Sequence, residues 1–188
     1  MKTKGSLLLL AFATLLLAGC GKEITTPSGD TAPTLITSNG LYENKDAWFS
    51  VNVPEWWQTE ENVYNSIVRF SAPQAEWDAL RENVGIMMEQ LPYKVTLDEY
   101  YEAAKESFQS LITWYVEISK EIITINNLQG IKLIYTWKPA WYDGILQQEY
   151  VFLINWTTTY IINYLATPET FSLYSKDVDA LVASFTLK

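Results

Sequence analysis

Few side chains of this 188-residue chain can carry acid–base or nucleophilic chemistry. The chain has no histidine, which removes the usual general base and the commonest metal ligand. A Ser–His–Asp triad is excluded for the same reason. Cys20 is the only cysteine, so no intramolecular disulfide can form. Carboxylates are therefore the main groups left for catalysis, and we predict neither a metal site nor a cofactor.

One group of carboxylates lies beside aromatic side chains. Glu55, Glu60 and Glu61 flank Trp56 and Trp57, a combination that a glycan hydrolase can use as stacking platforms and a carboxylate pair. Catalysis requires two carboxylates placed on one substrate atom, and neighbours in sequence rarely converge in that way. We therefore favour the interpretation in which the glutamates solvate a loop and the indoles cap the core.

Two further patterns have simple structural interpretations. Asp177 and Asp179 lack the spacing of a cation-binding loop, so we expect them on the solvated face of a helix. Asn155-Trp156-Thr157 matches a glycosylation sequon, but its position between two predicted strands indicates a turn.

Cys20 is the residue with the clearest chemistry. Lys2 and Lys4 precede an apolar run from Leu7 to Leu17, which is too short for a permanent transmembrane helix, and small residues follow it. This is the pattern of a secretory signal peptide, and Leu17-Ala18-Gly19-Cys20 resembles the lipobox of bacterial lipoproteins. The resemblance implies that the signal is removed and that Cys20 is acylated, palmitate included. The alternative is an ordinary secreted protein with an accidental cysteine.

Composition limits the partners of the mature chain. Removal of Lys2 and Lys4 with the signal leaves 11 basic and 22 acidic residues. Such an acidic surface repels phosphate backbones, so we predict no nucleic-acid binding. Membrane association would then depend on the acyl chains, at the extracytoplasmic face of a cell membrane.

The signal, a linker and one domain divide the chain. We predict a signal peptide at 1–19, the lipidated cysteine and a flexible tether at 20–40, and a domain at 41–188. Residues 21–40 include twelve Gly, Ser, Thr or Pro and show no apolar periodicity. The remaining length supports a single core, which 27 aromatic residues can fill.

Alternating and helical periodicities predict an α+β domain with one antiparallel sheet of about six or seven strands and helices packed on it. Thr96-Leu97-Asp98-Glu99 is a capping box that begins a strongly amphipathic helix. Thr167, followed by Pro168 and Glu169, is predicted to cap the last helix. Residues 74–82 are predicted to form a short helical turn. The predicted strands are 41–42, 48–53, 63–71, 84–91, 115–119, 122–125, 130–138, 145–156 and 159–166.

The ordered set of these segments resembles the PsbP-like family, which includes the extrinsic photosystem II protein and many bacterial lipoproteins. The segments that carry the resemblance are Phe49-Ser50-Val51-Asn52-Val53-Pro54, Thr96-Leu97-Asp98-Glu99-Tyr100, Asn127-Leu128-Gln129-Gly130 and Ala166-Thr167-Pro168-Glu169. The resemblance implies an α/β/α sandwich and an accessory, non-enzymatic role in docking onto or assembling larger complexes. It does not extend to the metal-binding histidines or the basic docking surface of photosynthetic members, which this chain lacks.

The segment 138–144 is the best candidate for binding a partner. It joins two long predicted strands and contains Trp141 and Tyr142, although loop tips are normally polar. The two rings either fold back onto the sheet or remain exposed as anchors for an envelope or membrane protein. The leading hypothesis is thus a lipid-anchored, extracytoplasmic binding or assembly module without catalytic activity. The alternatives are a carboxylate-dependent hydrolase of envelope glycans and a carrier of a small apolar ligand.

Overall fold

The computed structural model describes residues 40–74 and 79–188. Within these residues the structure has two helices, α1 (Leu97–Leu111) and α2 (Phe171–Ser184), and ten strands. The ten strands are β1 (Leu41–Asn44), β2 (Phe49–Asn52), β3 (Gln58–Val63), β4 (Ser66–Ser71), β5 (Asn83–Gln90), β6 (Val116–Ile125), β7 (Leu128–Trp137), β8 (Leu146–Asn155), β9 (Thr158–Ala166) and β10 (Thr186–Leu187).

Two antiparallel sheets organise the domain. The larger has seven strands in the order β3-β4-β5-β9-β8-β7-β6, and the smaller has the order β1-β2-β10. Most neighbours are consecutive hairpins, as their short turns require. The exceptions are the central pair β5–β9 and the pair β2–β10 of the small sheet, which bring together strands far apart in sequence. The predicted α+β fold with an antiparallel sheet is confirmed.

Helix α1 covers one face of the large sheet. Its predicted capping box is present: the Glu99 amide donates to Thr96 Oγ1 at 3.2 Å, and the Thr96 amide donates to Glu99 Oε2 at 2.9 Å. Phe108 stacks on Tyr135 with ring centroids 5.2 Å apart, and Tyr100 meets Phe152 edge-on at 5.3 Å. Aromatic rings thus fill the interface between α1 and the large sheet, which is where the apolar ligand of the predicted carrier would bind.

Helix α2 and the small sheet cover the opposite face. Phe49 of β2 stacks on Phe185, at the end of α2, with centroids 5.5 Å apart, and Tyr160 of β9 lies 5.3 Å from Phe185. Tyr42 of β1 packs edge-on against Phe70 of β4. The domain is therefore an α/β/α sandwich with two hydrophobic cores. One, which contains Phe108, lies between α1 and the large sheet, and the other, which contains Phe49 and Phe185, lies on the opposite face of that sheet.

Three predictions of secondary structure were wrong. Strand β3 was missed because its sequence, Gln-Thr-Glu-Glu-Asn-Val, has little apolar content, which an edge strand tolerates. Segments 115–119 and 122–125 form one strand, β6, whose polar middle is exposed at the other edge of the sheet. The last helix begins at Phe171, because Thr167 is in a preceding turn where its carbonyl accepts from the Phe171 amide at 2.9 Å.

The predicted signal peptide, Cys20 and nearly all of the tether lie outside the described residues, as do residues 75–78 of the helical turn predicted at 74–82. Within 40–74 and 79–188, no helix combines the length and apolarity needed to cross a membrane.

Candidate functional site

The predicted aromatic pair lies on the connection between β7 and β8, residues 138–145. Trp141 is 48% exposed, whereas Tyr142 is half-buried, and the two ring centroids are 6.0 Å apart. The indole therefore does not fold back into a core. That this pair binds a partner stays a prediction.

Local contacts fix the shape of this loop. The Tyr142 ring lies against Gly144, where an added Cβ would come within 2.5 Å of the ring. The Lys138 amide donates to the Thr113 carbonyl at 3.0 Å, which ties the loop to the segment that follows α1. The Lys138 ammonium lies 3.7 Å from an Asp143 carboxylate oxygen across the loop. Trp141 is thus presented on a defined backbone.

The bond between Lys138 and Thr113 brings a second exposed tryptophan to the same end of the domain. Trp114 is 72% exposed and has a positive φ of 60°, which is rare for a bulky side chain. We call the exposed apolar residues at this end the loop-end surface: Leu111, Trp114, Val116, Trp141 and Ile145. A shallow depression of about 400 Å³ lies between Thr113 and the loop.

Sequence reasoning missed Trp114, although a signal for it existed. Trp114 stands in the connector between the predicted end of α1 and the next strand, so the argument that singled out Trp141 applies equally to it. The exposure of Val116 follows from the position of β6 at the edge of the sheet, which the sequence pattern does not specify.

An ionic cluster lies beside the loop-end surface, centred on Glu117, which follows Val116 on β6. Glu117 of β6 accepts from the Tyr101 hydroxyl at 2.8 Å and pairs with the Lys105 ammonium at 3.0 Å. Burial favours the neutral acid, but the hydrogen bonds from Tyr101 and Lys105 outweigh it and lower the pKa of Glu117. The ionised carboxylate is already engaged by these donors, so its role is to join α1 to the edge strand.

The carboxylates beside Trp56 and Trp57 do not converge. Glu60 and Glu61 are neighbours on β3, and successive side chains of a strand point to opposite faces. Glu60 pairs with Arg69 at 2.7 Å, while Glu61 accepts from the Tyr42 hydroxyl at 2.6 Å. Trp57 is buried, as the favoured interpretation required, whereas Trp56 is 49% exposed, so only one of the two indoles caps the core.

Two buried carboxylates were not singled out from the sequence. Glu82 and Glu149 are nearly inaccessible to solvent. The pKa of Tyr164 is raised, first by burial of its own hydroxyl and then by the negative charges of these two carboxylates. A substrate would reach them only if the core opened. Asp179 pairs with Lys132 on the helix surface. Within the described part of the chain, no group of three or more His, Cys, Asp or Glu residues could hold a metal ion.

Comparison with known proteins identifies the fold. No protein-family model and no curated protein matches this chain. Among solved structures it resembles PsbP (CyanoP) of the cyanobacterium Synechocystis, with a TM-score of 0.59, 14% identity and coverage of 87% of this chain and 100% of that one.

Two other similar structures come from different organisms. LpqN of Mycobacterium tuberculosis, described as involved in cell envelope biogenesis, has a TM-score of 0.60, 9% identity and coverage of 74% of this chain and 83% of its own. The Ran-binding protein Mog1p of Saccharomyces cerevisiae has a TM-score of 0.56, 11% identity and coverage of 78% and 94%. The fold is therefore PsbP-like, as the resemblance predicted.

Proposed function

From this PsbP-like fold, we propose that the protein is a lipid-anchored, extracytoplasmic binding or assembly module without catalytic activity. Cys20 carries the acyl anchor. The loop-end surface, together with Tyr142, docks onto an envelope or membrane protein, and Trp141 is the main anchor of that contact.

The observation that carries the proposal is a pair of exposed tryptophans on two connectors joined by a backbone hydrogen bond. An exposed indole contributes little to the stability of the fold, so its burial would stabilise only a complex with a partner. Tryptophan is enriched among the residues that dominate binding energy at protein interfaces. The frame around Gly144 reduces the conformational entropy that Trp141 would lose on binding.

The carboxylates considered for catalysis also favour recognition over catalysis. Glu117 is occupied by its donors, and Glu60 and Glu61 point apart. The role in cell envelope biogenesis stated for LpqN supports an envelope location for a chain with a lipobox.

Truncation of the aromatic anchors tests the docking surface. Trp141→Ala and Tyr142→Ala should leave the melting temperature close to that of the wild type, because Trp141 is half-exposed on a loop. Binding should weaken by about 2 kcal/mol or more for a true hot spot, which is about 30-fold in affinity. The measurement is capture of envelope proteins by crosslinking in intact cells, with thermal unfolding in parallel.

Two tryptophans provide matched controls. Trp137, half-buried at the end of β7 and packed on the α1 core, should mainly destabilise the domain when cut to alanine. Trp156 is exposed at the opposite end, so Trp156→Ala should not reduce capture of the partner. If Trp141→Ala unfolds the domain as severely as Trp137→Ala does, the loop serves packing and the proposed docking site is wrong.

A further inference from the structure

The end of the domain opposite the loop-end surface is formed largely by hairpin turns. The strand registers place the turns β3–β4, β6–β7 and β8–β9 at the same end of the large sheet. The β1–β2 turn joins them, because Trp48 lines one shallow depression together with Asn155 and Met88. We call this region the hairpin end.

Aromatic residues occupy backbone positions at the hairpin end that normally belong to glycine or asparagine. Trp48, Tyr64 and Trp156 have φ values of 57°, 49° and 58°, in the left-handed region. That conformation is sterically unfavourable for bulky side chains. The β6–β7 turn satisfies the same backbone requirement with Asn126 and Asn127. The aromatic choice in the other turns is therefore not dictated by the backbone.

The aromatic side chains of this end project into solvent. Trp48 is 63% exposed and Trp156 is 75% exposed, and Met88 is also exposed on β5 between their turns. Both turns are anchored: the Lys188 amide donates to the Trp48 carbonyl at 3.0 Å, and the Leu91 amide donates to the Thr157 carbonyl at 2.6 Å. Fixed turns thus hold large apolar groups outward without burying them.

The charges at the hairpin end differ from those of the whole chain. The Lys94 ammonium lies 5.2 Å from the Trp156 ring centroid, and Lys188 pairs with Glu43 at 3.3 Å. Lys45 and Asp46 in the β1–β2 turn balance each other. With Glu89, which follows Met88 on β5, the hairpin end carries Lys45, Lys94 and Lys188 against Glu43, Asp46 and Glu89. These charges cancel on a chain with a net charge of −9, so the acidic excess lies elsewhere.

We propose that the hairpin end contacts the lipid–water interface of a bilayer. Trp48, Trp156 and Met88 would enter the boundary between headgroups and acyl chains, where amphipathic rings are favoured. Lys94 and Lys188 would reach the phosphate level with their long side chains. A flat bilayer can contact apolar groups on separate turns at once, and near-neutral charge avoids the repulsion that the rest of this acidic chain would meet.

This contact is independent of the acyl anchor and complements the docking surface. Gly40, where the described chain begins, pairs with Val53 at the end of β1 remote from the β1–β2 turn. The twenty residues from Cys20 to Asn39 can span at most about 70 Å, and strands of ten residues are about 33 Å long. Either end of the domain can thus face the membrane, and contact through the hairpin end leaves the loop-end surface free.

Vesicle binding by an unacylated chain tests the proposal. The chain from residue 20 onward with Cys20→Ser contains both cores, and phosphatidylcholine vesicles are the probe. The wild-type domain should co-sediment with the vesicles, and brominated lipids should quench its tryptophan fluorescence. Trp48→Asn and Trp156→Asn should each lower the partition coefficient by about tenfold or more, since each removes a large apolar contact.

Asparagine is chosen because it tolerates the left-handed backbone. The two variants should therefore be at least as thermally stable as the wild type, as Asn126 and Asn127 already indicate. Trp141→Ala, at the opposite end, should bind vesicles within about twofold of the wild type, because its contact area is remote.

Three outcomes would overturn the proposal. They are an absence of vesicle binding or quenching in the unmodified domain, asparagine variants that bind vesicles as tightly as the wild type, and variants that lose capture of an envelope protein while keeping vesicle binding. The last result would identify the hairpin end as a second protein interface. A variant that lost stability would leave the quenching measurement on the wild-type domain as the deciding test.

Discussion

A partly buried lysine in the large sheet provides a quantitative test of how charge stabilises this fold. Lys132 of β7 lies 3.0 Å from Glu149 of β8 and 2.7 Å from Asp179 of α2. Glu149 is 3% exposed, so its charge depends on Lys132 for compensation. Burial raises the pKa of Glu149 despite Lys132, and the negative charges of Asp179 and Glu121 raise it further.

Lys132→Met removes the cation and leaves Glu149 buried beside other acidic groups. Breaking a buried ion pair in this way costs about 3–5 kcal/mol of stability at pH 7. With a urea m-value of about 2 kcal/mol/M, the unfolding midpoint should fall by about 1.5–2.5 M. Asp179→Asn is the matched control: its side chain is 60% exposed, so that half of the network should contribute at most about 1 kcal/mol.

The cost of Lys132→Met should decrease in acid. A carboxyl group with a raised pKa in the native state contributes stability below its unfolded pKa, and this contribution is lost as pH rises through the native pKa. Acidification from pH 7 to pH 5 protonates Glu149 in the variant, so the difference from the wild type should shrink by about 1.4 kcal/mol per pH unit of titration. Urea unfolding at both pH values measures this.

A second substitution separates lost attraction from stranded charge. Lys132→Met/Glu149→Gln has no buried charge at either position and should recover most of the lost stability at pH 7. If Lys132→Met costs less than about 1 kcal/mol at pH 7, or if the cost is the same at pH 5, Glu149 is solvated or neutral in the native protein and the reasoning is refuted.

Two further predictions concern the anchor and α1. Metabolic labelling with a fatty acid should mark the protein, and Cys20→Ser should abolish the label and release the protein from carbonate-washed membranes; a variant that stays in the washed membrane fraction contradicts acylation at Cys20. Thr96→Ala should cost about 1 kcal/mol by removing the capping box, lowering the melting temperature by about 2–4 °C, whereas Thr96→Ser should change it little; equal stability of all three proteins would show that the cap adds nothing.

The parts of the fold that were predictable from sequence are those in which local and tertiary preferences agree. The capping box and the amphipathic stripe of α1 follow from side-chain chemistry within one helix. The Asn126-Asn127 turn follows from the left-handed backbone that a tight hairpin requires. Strand β3 was not predictable in the same way, because at an edge Glu60 and Glu61 can pair with Arg69 and Tyr42 without an apolar pattern.

The pairing of Glu149 with Lys132 was equally hidden from sequence reasoning. The two residues are brought together by the β7–β8 register, and nothing local distinguishes Glu149 from an exposed glutamate. The sequence does not determine the exposure of Trp141 for a related reason. Whether a loop ring folds back depends on space beneath it, and here Gly144 provides that space to Tyr142 and not to Trp141.

The aromatic turns show where sequence reasoning fails for a functional reason. Backbone preference alone would place Asn or Gly at the left-handed positions, and the chain follows that rule at Asn126 and Asn127. It departs from the rule at Trp48, Trp114 and Trp156, all strongly exposed. A bulky residue that occupies a strained backbone position and leaves most of its side chain exposed contributes little to stability. Such positions at both ends of the sandwich are the ones that the proposed partner contact and the proposed membrane contact would bury.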